Sequence, residues 1–525
     1  MTSYDEVPYP SLPRPQTHPN HLAALATLFG LKPVPVTRCR VLDIGCADGS
    51  NLIPMACQLP ESQFVGLDLS PRQIAAGQAK ATALGLKNLT LQAMNLLDVT
   101  EELGQFDYII VYGVYTWAPA EVQRKILQIC RHHLSPHGVA YISYNVYPGW
   151  HMHGLARGLM LYQTRHLAAP EARVKQARTL LDFMTETLPG LSSNMSDALQ
   201  ANQLIFKSLR ELLQDQPDEY LLHDHLEAIN EPLYLYQFVE QAEQNGLQYL
   251  TDAETSALIT NYLPPHLARQ LEQMASSRVE LEQLMDFLYV RAFRQTLLCQ
   301  QEVTLRPDIQ PESLLGLHVA ASLQPVAGPP TLKLAVPEKF RSSIGVTLTT
   351  QQPLNKAALL YLAEIWPQAA PFERVLTEAR ARLDPTEPPV YSAARQAHEV
   401  KTLGELLLKG YALNMVELHA CSANFGLAIS DYPTASPLAR FEASQGNKVT
   451  NQRHEPVLMD ETDLGYYLLP YLDGRHSQAD LLAHLRTLVA QGVLLESDGQ
   501  TGDESLGQAL AHTLGRLAAE ALLVG

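Results

Sequence analysis

The sequence predicts an α/β protein: a doubly wound parallel sheet in the first third, then a helical segment, then a mixed α+β C-terminal region. Three observations carry that prediction. Residues 41–49, Val-Leu-Asp-Ile-Gly-Cys-Ala-Asp-Gly, read as strand, tight turn and helix start. Apolar strand-like runs alternate with helical patterns as far as Trp150. Beyond Trp150 the alternation gives way to helical periodicity.

Val41 and Leu42 deliver Asp43 to the carboxyl end of the first strand, where such sheets bind ligands. Gly45 and Gly49 let the backbone turn sharply and come close to a cofactor before a helix opens near Asn51. The second strand, 64–68, ends at Asp68, a carboxylate able to accept hydrogen bonds from both hydroxyls of a ribose. A third strand over 89–94 brings Asn95 and Asp98 to the same carboxyl edge of the sheet. The fourth, 106–111, runs into Tyr112-Gly113-Val114-Tyr115-Thr116-Trp117. A helix over 121–134 ends at the turn signal Ser135-Pro136-His137-Gly138, with His132 and His133 at its negative pole. Residues 139–143 form the fifth strand, followed by Tyr144-Asn145-Val146-Tyr147-Pro148-Gly149-Trp150.

Small differences choose the cofactor. A nicotinamide site requires Gly-x-Gly-x-x-Gly, and that spacing is absent. Instead Asp43 precedes Gly45, Ala47 fills the middle and Gly49 closes the loop. This resembles motif I of the Rossmann-like class I S-adenosylmethionine-dependent methyltransferases. Further segments are similar to bacterial methyltransferases that carry a methyltransferase regulatory domain. They are Tyr9-Pro10, Thr17-His18-Pro19, 106–119, 143–151, 220–250 with His223-Asp224-His225, 286–299 and 437–473. The best-understood members are the rickettsial-type protein lysine methyltransferases of outer-membrane proteins.

The resemblance implies S-adenosyl-L-methionine as cofactor and S-adenosyl-L-homocysteine as product. Its cofactor residues map onto Asp43, Gly45, Cys46, Gly49, Asn51, Asp68, Leu69, Asn95, Leu96, Tyr112 and Gly113. It also implies a protein substrate, an outer-membrane protein before export, and a homodimer. Two positions depart from the family: Tyr112 stands where His is common, and Asn95 where many relatives place a carboxylate. Asn95 still offers an acceptor.

Methyl transfer to lysine needs a positioned, neutral amine, and burial beside a cation lowers an amine pKa. Tyr112, Tyr144 and Asn145 are the catalytic candidates, through their hydroxyl or amide oxygens. Tyr115, Trp117, Tyr147 and Trp150 are candidates for substrate binding, because aromatic faces attract alkylammonium groups by about 0.5 to 2 kcal/mol each. Two of the chain's three tryptophans fall in these loops. Glu227 and Glu231, one helical turn apart, are placed to hold a basic substrate. His223 and His225 alternate on a helix and point to different faces, so no metal site is expected.

The chain has 525 residues, enough for about three domains. Their expected spans are 1–165 for cofactor binding, 166–322 for a helical regulatory or dimerisation unit, and 323–525 for a winged-helix-like region. A net charge of −17 argues against nucleic-acid binding, which needs a basic face. The polar, proline-rich 4–19 stretch is no signal peptide and no apolar run spans a bilayer, so a cytoplasmic location without membrane insertion is expected. Six scattered cysteines contain no Cys-x-x-Cys pair, which suggests neither zinc nor disulfides.

In the helical segment, Leu204, Ile205, Leu209, Leu212 and Leu213 mark one helix face. Helices are expected over 218–226, 233–245 (with Gly246 as C-cap) and 281–298. A proline-rich loop follows at 324–331, then helices at 355–365 and 371–383, a break at 384–389, and a helix over 403–410 feeding a strand at 416–419. Helices at 464–472 and 478–488 complete a texture resembling the family's winged-helix modules, without a basic cluster. Two other functions stay open at this stage: a small-molecule N- or O-methyltransferase, and a cofactor-sensing binding protein without catalysis.

Overall fold

The computed structural model describes residues 3–9, 11–190, 196–254, 263–328, 330–384, 392–423, 425–494 and 503–524. Pro10, Pro329 and the break following Asp384 lie outside the described residues.

The architecture centres on a seven-stranded sheet. In chain order its strands are β1 (Arg40–Ile44), β2 (Gln63–Asp68), β3 (Leu89–Ala93), β4 (Phe106–Val111), β5 (Leu134–Asn145), β6 (Leu247–Asp252) and β7 (Phe293–Gln300). They lie side by side as β3-β2-β1-β4-β5-β7-β6. The first five strands are parallel, and β7 and β6 add antiparallel at one edge.

The central strands are buried on both faces, which is why they read as continuous apolar runs. Val41, Tyr108, Ile110 and Tyr141 face a core shared with the helix Pro19–Leu28 and the unit around Val319, Leu359 and Leu407. Leu42, Ile44, Ile109 and Ile142 face the opposite core, packed by the helices Ala120–His133 and Leu235–Gln244. A third core, built on Met160, Leu181, Phe206 and Leu222, holds the helices between Gly149 and His225 together. The C-terminal unit has its own core around Leu468, Leu485 and Leu514.

Four expectations are corrected. Residues 281–298 are not one helix: Arg278–Tyr289 is helical, Val290 turns it at φ +51°, and β7 follows. The reason is Arg294, which is not a solvated helix residue. It lies inside, with Nε 2.8 Å from Asp286, and Nη1 3.0 Å from Glu282 and 3.2 Å from Asp252. Strands β6 and β7 therefore join the sheet although they fall in the segment expected to be helical.

Residues 135–138 do not leave the sheet, since β5 begins at Leu134 and passes through them with a register irregularity against β4. In the helix Asp197–Leu213 it is Phe206, Leu209 and Leu213 that are buried, while Leu204 and Leu212 are 67% and 47% exposed. The proline-rich loop begins late, because Leu323–Pro325 is a strand paired with Glu338–Ser342.

The helices Pro353–Ile365, Phe372–Leu383, Ala393–Ala412 and Gln478–Ala490 stand where helical periodicity placed them, though Ala393–Ala412 starts earlier than expected. Among the described residues no helix is long and apolar enough to cross a membrane.

Candidate active site

A cavity of about 610 Å³ opens at the carboxyl ends of the parallel strands. Its floor is the β1 loop. Gly45 sits at φ +76°, and a Cβ there would come within 2.4 Å of Val114 Cγ2. Ala47 N donates to Asp68 Oδ2 at 2.9 Å and Ser70 N to Asp68 Oδ1 at 2.8 Å, so two loops clamp that carboxylate. Gly113 takes φ +68° after β4, with no atom within 4 Å of where its Cβ would stand, and its N donates to Ser143 Oγ at 2.8 Å.

Asp43 is 3% exposed at the end of β1. Burial pushes its carboxyl up to about 7, against a lowering hydrogen bond from Asn51. Burial also raises Asp68. Among the described residues no Lys or Arg pairs with Asp43 or Asp68. A buried acid and a half-buried one without a protein cation, the second able to accept from a ribose, together with an open glycine fit a ligand that carries positive charge on a nucleoside. S-adenosylmethionine, with its ammonium and sulfonium, has that chemistry.

Of the residues expected at the cofactor, Asp43, Gly45, Cys46, Asn51, Asp68, Leu69, Asn95, Leu96, Tyr112 and Gly113 line this one cavity. Gly49 does not; it holds the turn at φ +74°, packed beneath Leu91. Asn95 also caps a short helical turn, accepting from Leu97 N at 3.0 Å.

The expected acceptor residues divide. Asn145, Trp117 and Trp150 line the cavity, and the two indoles meet edge to face at 6.0 Å. Tyr112 lies beneath the Arg14 guanidinium at 4.9 Å. Tyr144 is elsewhere: 1% exposed, stacked on Phe238 at 4.1 Å and bonded to Thr296 at 2.8 Å, because its position on β5 faces the core opposite the opening. Tyr115 is buried likewise and donates to Gln241 at 2.6 Å. Tyr147 stacks on His151 at 4.1 Å, outside the lining.

Glu227 and Glu231 share no helical face, since the helix stops at His225. Glu227 turns to His223 Nδ1 at 3.1 Å, and Glu231 N donates to Thr116 O at 2.8 Å. His223 and His225, expected on different faces, both border the cavity, as does Asp224 between them. No group able to hold a metal occurs among the described residues.

Sequence reasoning missed one wall. Tyr9, Ser11, Leu12 and Arg14 form it, and the helix Asp218–His225 faces them across the opening. Arg14 N donates to Asn51 Oδ1 at 3.0 Å, which ties this wall to the β1 loop. The available signal was the cluster of prolines around an aromatic in a polar stretch, which favours extended chain over helix.

Three family models match: a methyltransferase domain over 41–138, a predicted methyltransferase regulatory domain over 217–300, and the PKMT C-terminal winged helix domain over 431–522. An uncharacterized protein of Rickettsia prowazekii (strain Madrid E) is 33% identical over 510 residues, spanning 95% of this chain and 88% of its own. A second uncharacterized protein of that organism is 37% identical over 248 residues, 47% of this chain and 96% of its own. The structure of PKMT2 from Rickettsia typhi superposes with a TM-score of 0.85 at 29% identity, covering 99% of this chain and 100% of that one. The same protein in complex with AdoHcy superposes at 0.84.

Proposed function

We propose, from the premise that this chain belongs to the class I S-adenosylmethionine-dependent methyltransferases of the PKMT type, that it methylates lysine side chains of a protein substrate. S-adenosylmethionine is its cofactor and S-adenosylhomocysteine the product. The single observation that carries the lysine reading is the aromatic wall past β4, where Trp117 and Trp150 border the cavity beside Tyr112, whose own ring carries the Arg14 guanidinium. Such faces favour an alkylammonium, and their burial helps the amine shed its proton.

When bound, the cofactor supplies a methyl carbon activated by a sulfonium. Asp43 would hold the cofactor's ammonium, and Asp68 its ribose diol. Asn95 lies where an adenine edge would be read. Asn145, held by its Nδ2 donating to Asn230 Oδ1 at 3.1 Å, keeps its own amide oxygen for the acceptor amine. In this reading the acceptor is a protein met in the cytoplasm, an outer-membrane protein before export, and the enzyme works as a homodimer.

The test is where the methyl group goes. Labelled cofactor incubated with cell extract gives Nε-methyl-lysine on hydrolysis of the protein fraction if the reading holds. Label only in the small-molecule fraction contradicts it.

A further inference from the structure

We infer that Asp224, supported by Tyr9, is the anionic end of the acceptor slot and sets its specificity for a primary ammonium. The inference rests on the lysine reading above and names a residue that reading does not use.

Asp224 lies on the helix Asp218–His225, outside the strands that build the cofactor end, yet it borders the same cavity as Tyr112 and Gly113. It is half-buried. Its Oδ2 accepts the Tyr9 hydroxyl at 3.2 Å, and among the described residues its Oδ1 accepts no hydrogen bond. No Lys or Arg among them forms an ion pair with it; the Arg14 guanidinium lies over the Tyr112 ring and acts on Asp224 from a distance. Burial lifts the carboxyl to about 6 although Tyr9, His223 and Arg14 act to lower it. A carboxylate withdrawn from water in this way gains most from a mobile cation that arrives with its own hydrogens.

The surroundings suit the stem of that cation. Tyr9, Tyr112 and Tyr220 line the same cavity as Asp224, and burial first, then the Asp224 charge, raises their hydroxyl pKa values. With Trp117 and Trp150 on the same cavity, an alkyl chain passes between apolar faces while its terminal charge meets ring faces and a carboxylate. Glu227 and Glu231 do not line this cavity, whereas Asp224 does. A neutral side chain of the same length would leave Asp224 without the charge that offsets its burial, and that is the basis of discrimination.

The test uses the full chain saturated with S-adenosylhomocysteine and reads tryptophan fluorescence, since Trp117 and Trp150 face the cavity. Nα-acetyl-lysine methylamide is titrated against its norleucine counterpart. The wild type binds the lysine probe at least about tenfold more tightly, and Asp224→Asn erases that preference while Asp224→Glu keeps it. S-adenosylhomocysteine affinity stays the same in all three.

Equal binding of the two probes by the wild type, or a preference that survives Asp224→Asn, overturns the inference. The wild-type comparison decides alone if a variant fails to fold. Lysine labelling without an Asp224-dependent preference defeats only this inference. An Asp224-dependent preference with label confined to small molecules defeats only the protein-lysine reading.

Discussion

His454 Nε2 donates to Asn51 Oδ1 at 2.9 Å, joining two residues 403 positions apart in the chain. His454 is 1% exposed, burial holds it neutral, and its Nδ1 has no partner among the described residues, as befits an Nε2–H tautomer facing an acceptor. The same Asn51 oxygen accepts Arg14 N, so the C-terminal unit, the N-terminal wall and the cofactor loop meet on one amide. Buried hydrogen bonds of this kind contribute roughly 1 kcal/mol each, and about 1.4 kcal/mol is a tenfold change in affinity. Asn51→Ala is therefore expected to weaken S-adenosylhomocysteine binding about tenfold, and His454→Ala a few-fold. Calorimetric titration checks both, and unchanged affinities would sever the link.

Two glycines predict opposite signatures. Alanine at Gly45 meets both a positive φ and a contact of 2.4 Å with Val114, so it costs stability as well as binding. Alanine at Gly113 meets only the positive φ, about 1 kcal/mol of strain, yet puts its methyl into the open cavity. Gly113→Ala is expected to keep nearly the wild-type melting temperature while losing most cofactor affinity. Melting curves recorded with and without S-adenosylhomocysteine separate the two cases.

The cofactor end was legible in the sequence because it is local. Asp43, Gly45 and Asp68 act at strand ends, where a few adjacent residues dictate the turn. The acceptor end was less so. Tyr144 and Tyr115 look like site aromatics by position; side-chain alternation on β5 sends Tyr144 into the core, and the short helical turn after β4 sends Tyr115 there. Asp224 and Tyr9, 215 positions apart, are brought together by tertiary packing that leaves no periodic trace. Strand β7 was hidden by Arg294, whose charge is offset by acids from two other elements rather than by water.

Asp43 is expected to make cofactor binding depend on pH. Its pKa rises from an ordinary 3.8 to about 7 on folding. Between those values the folded chain keeps a proton that the unfolded chain has released, so this group's contribution to stability falls as pH rises through that window and levels off above it. The ammonium of a bound ligand favours the carboxylate, so affinity climbs with pH up to about 7. Thermal stabilisation by S-adenosylhomocysteine is expected to be larger at pH 8 than at pH 6. Asp43→Asn should flatten that difference, and a difference that persists in the variant would assign it to another group.

The Arg294 network is a stability element. Replacing Arg294 by Met leaves Asp252, Glu282 and Asp286 buried with less compensating charge, at a cost of about 3 to 5 kcal/mol. Arg294→Lys recovers little of it, because one ammonium cannot reach three carboxylates in a fork. The midpoint of urea denaturation should fall steeply in both variants. A midpoint near the wild type would mean that Arg278 and Arg291, which also pair with Glu282 and Asp286, suffice.

The most direct measurement adds methyl-labelled S-adenosylmethionine to an extract that includes the envelope fraction, with wild-type protein and Asp68→Ala side by side. Label is expected on lysine residues of protein, located by mass spectrometry, and is expected to be lost with Asp68→Ala. Label on small molecules alone, or lysine labelling that Asp68→Ala leaves intact, would contradict that expectation.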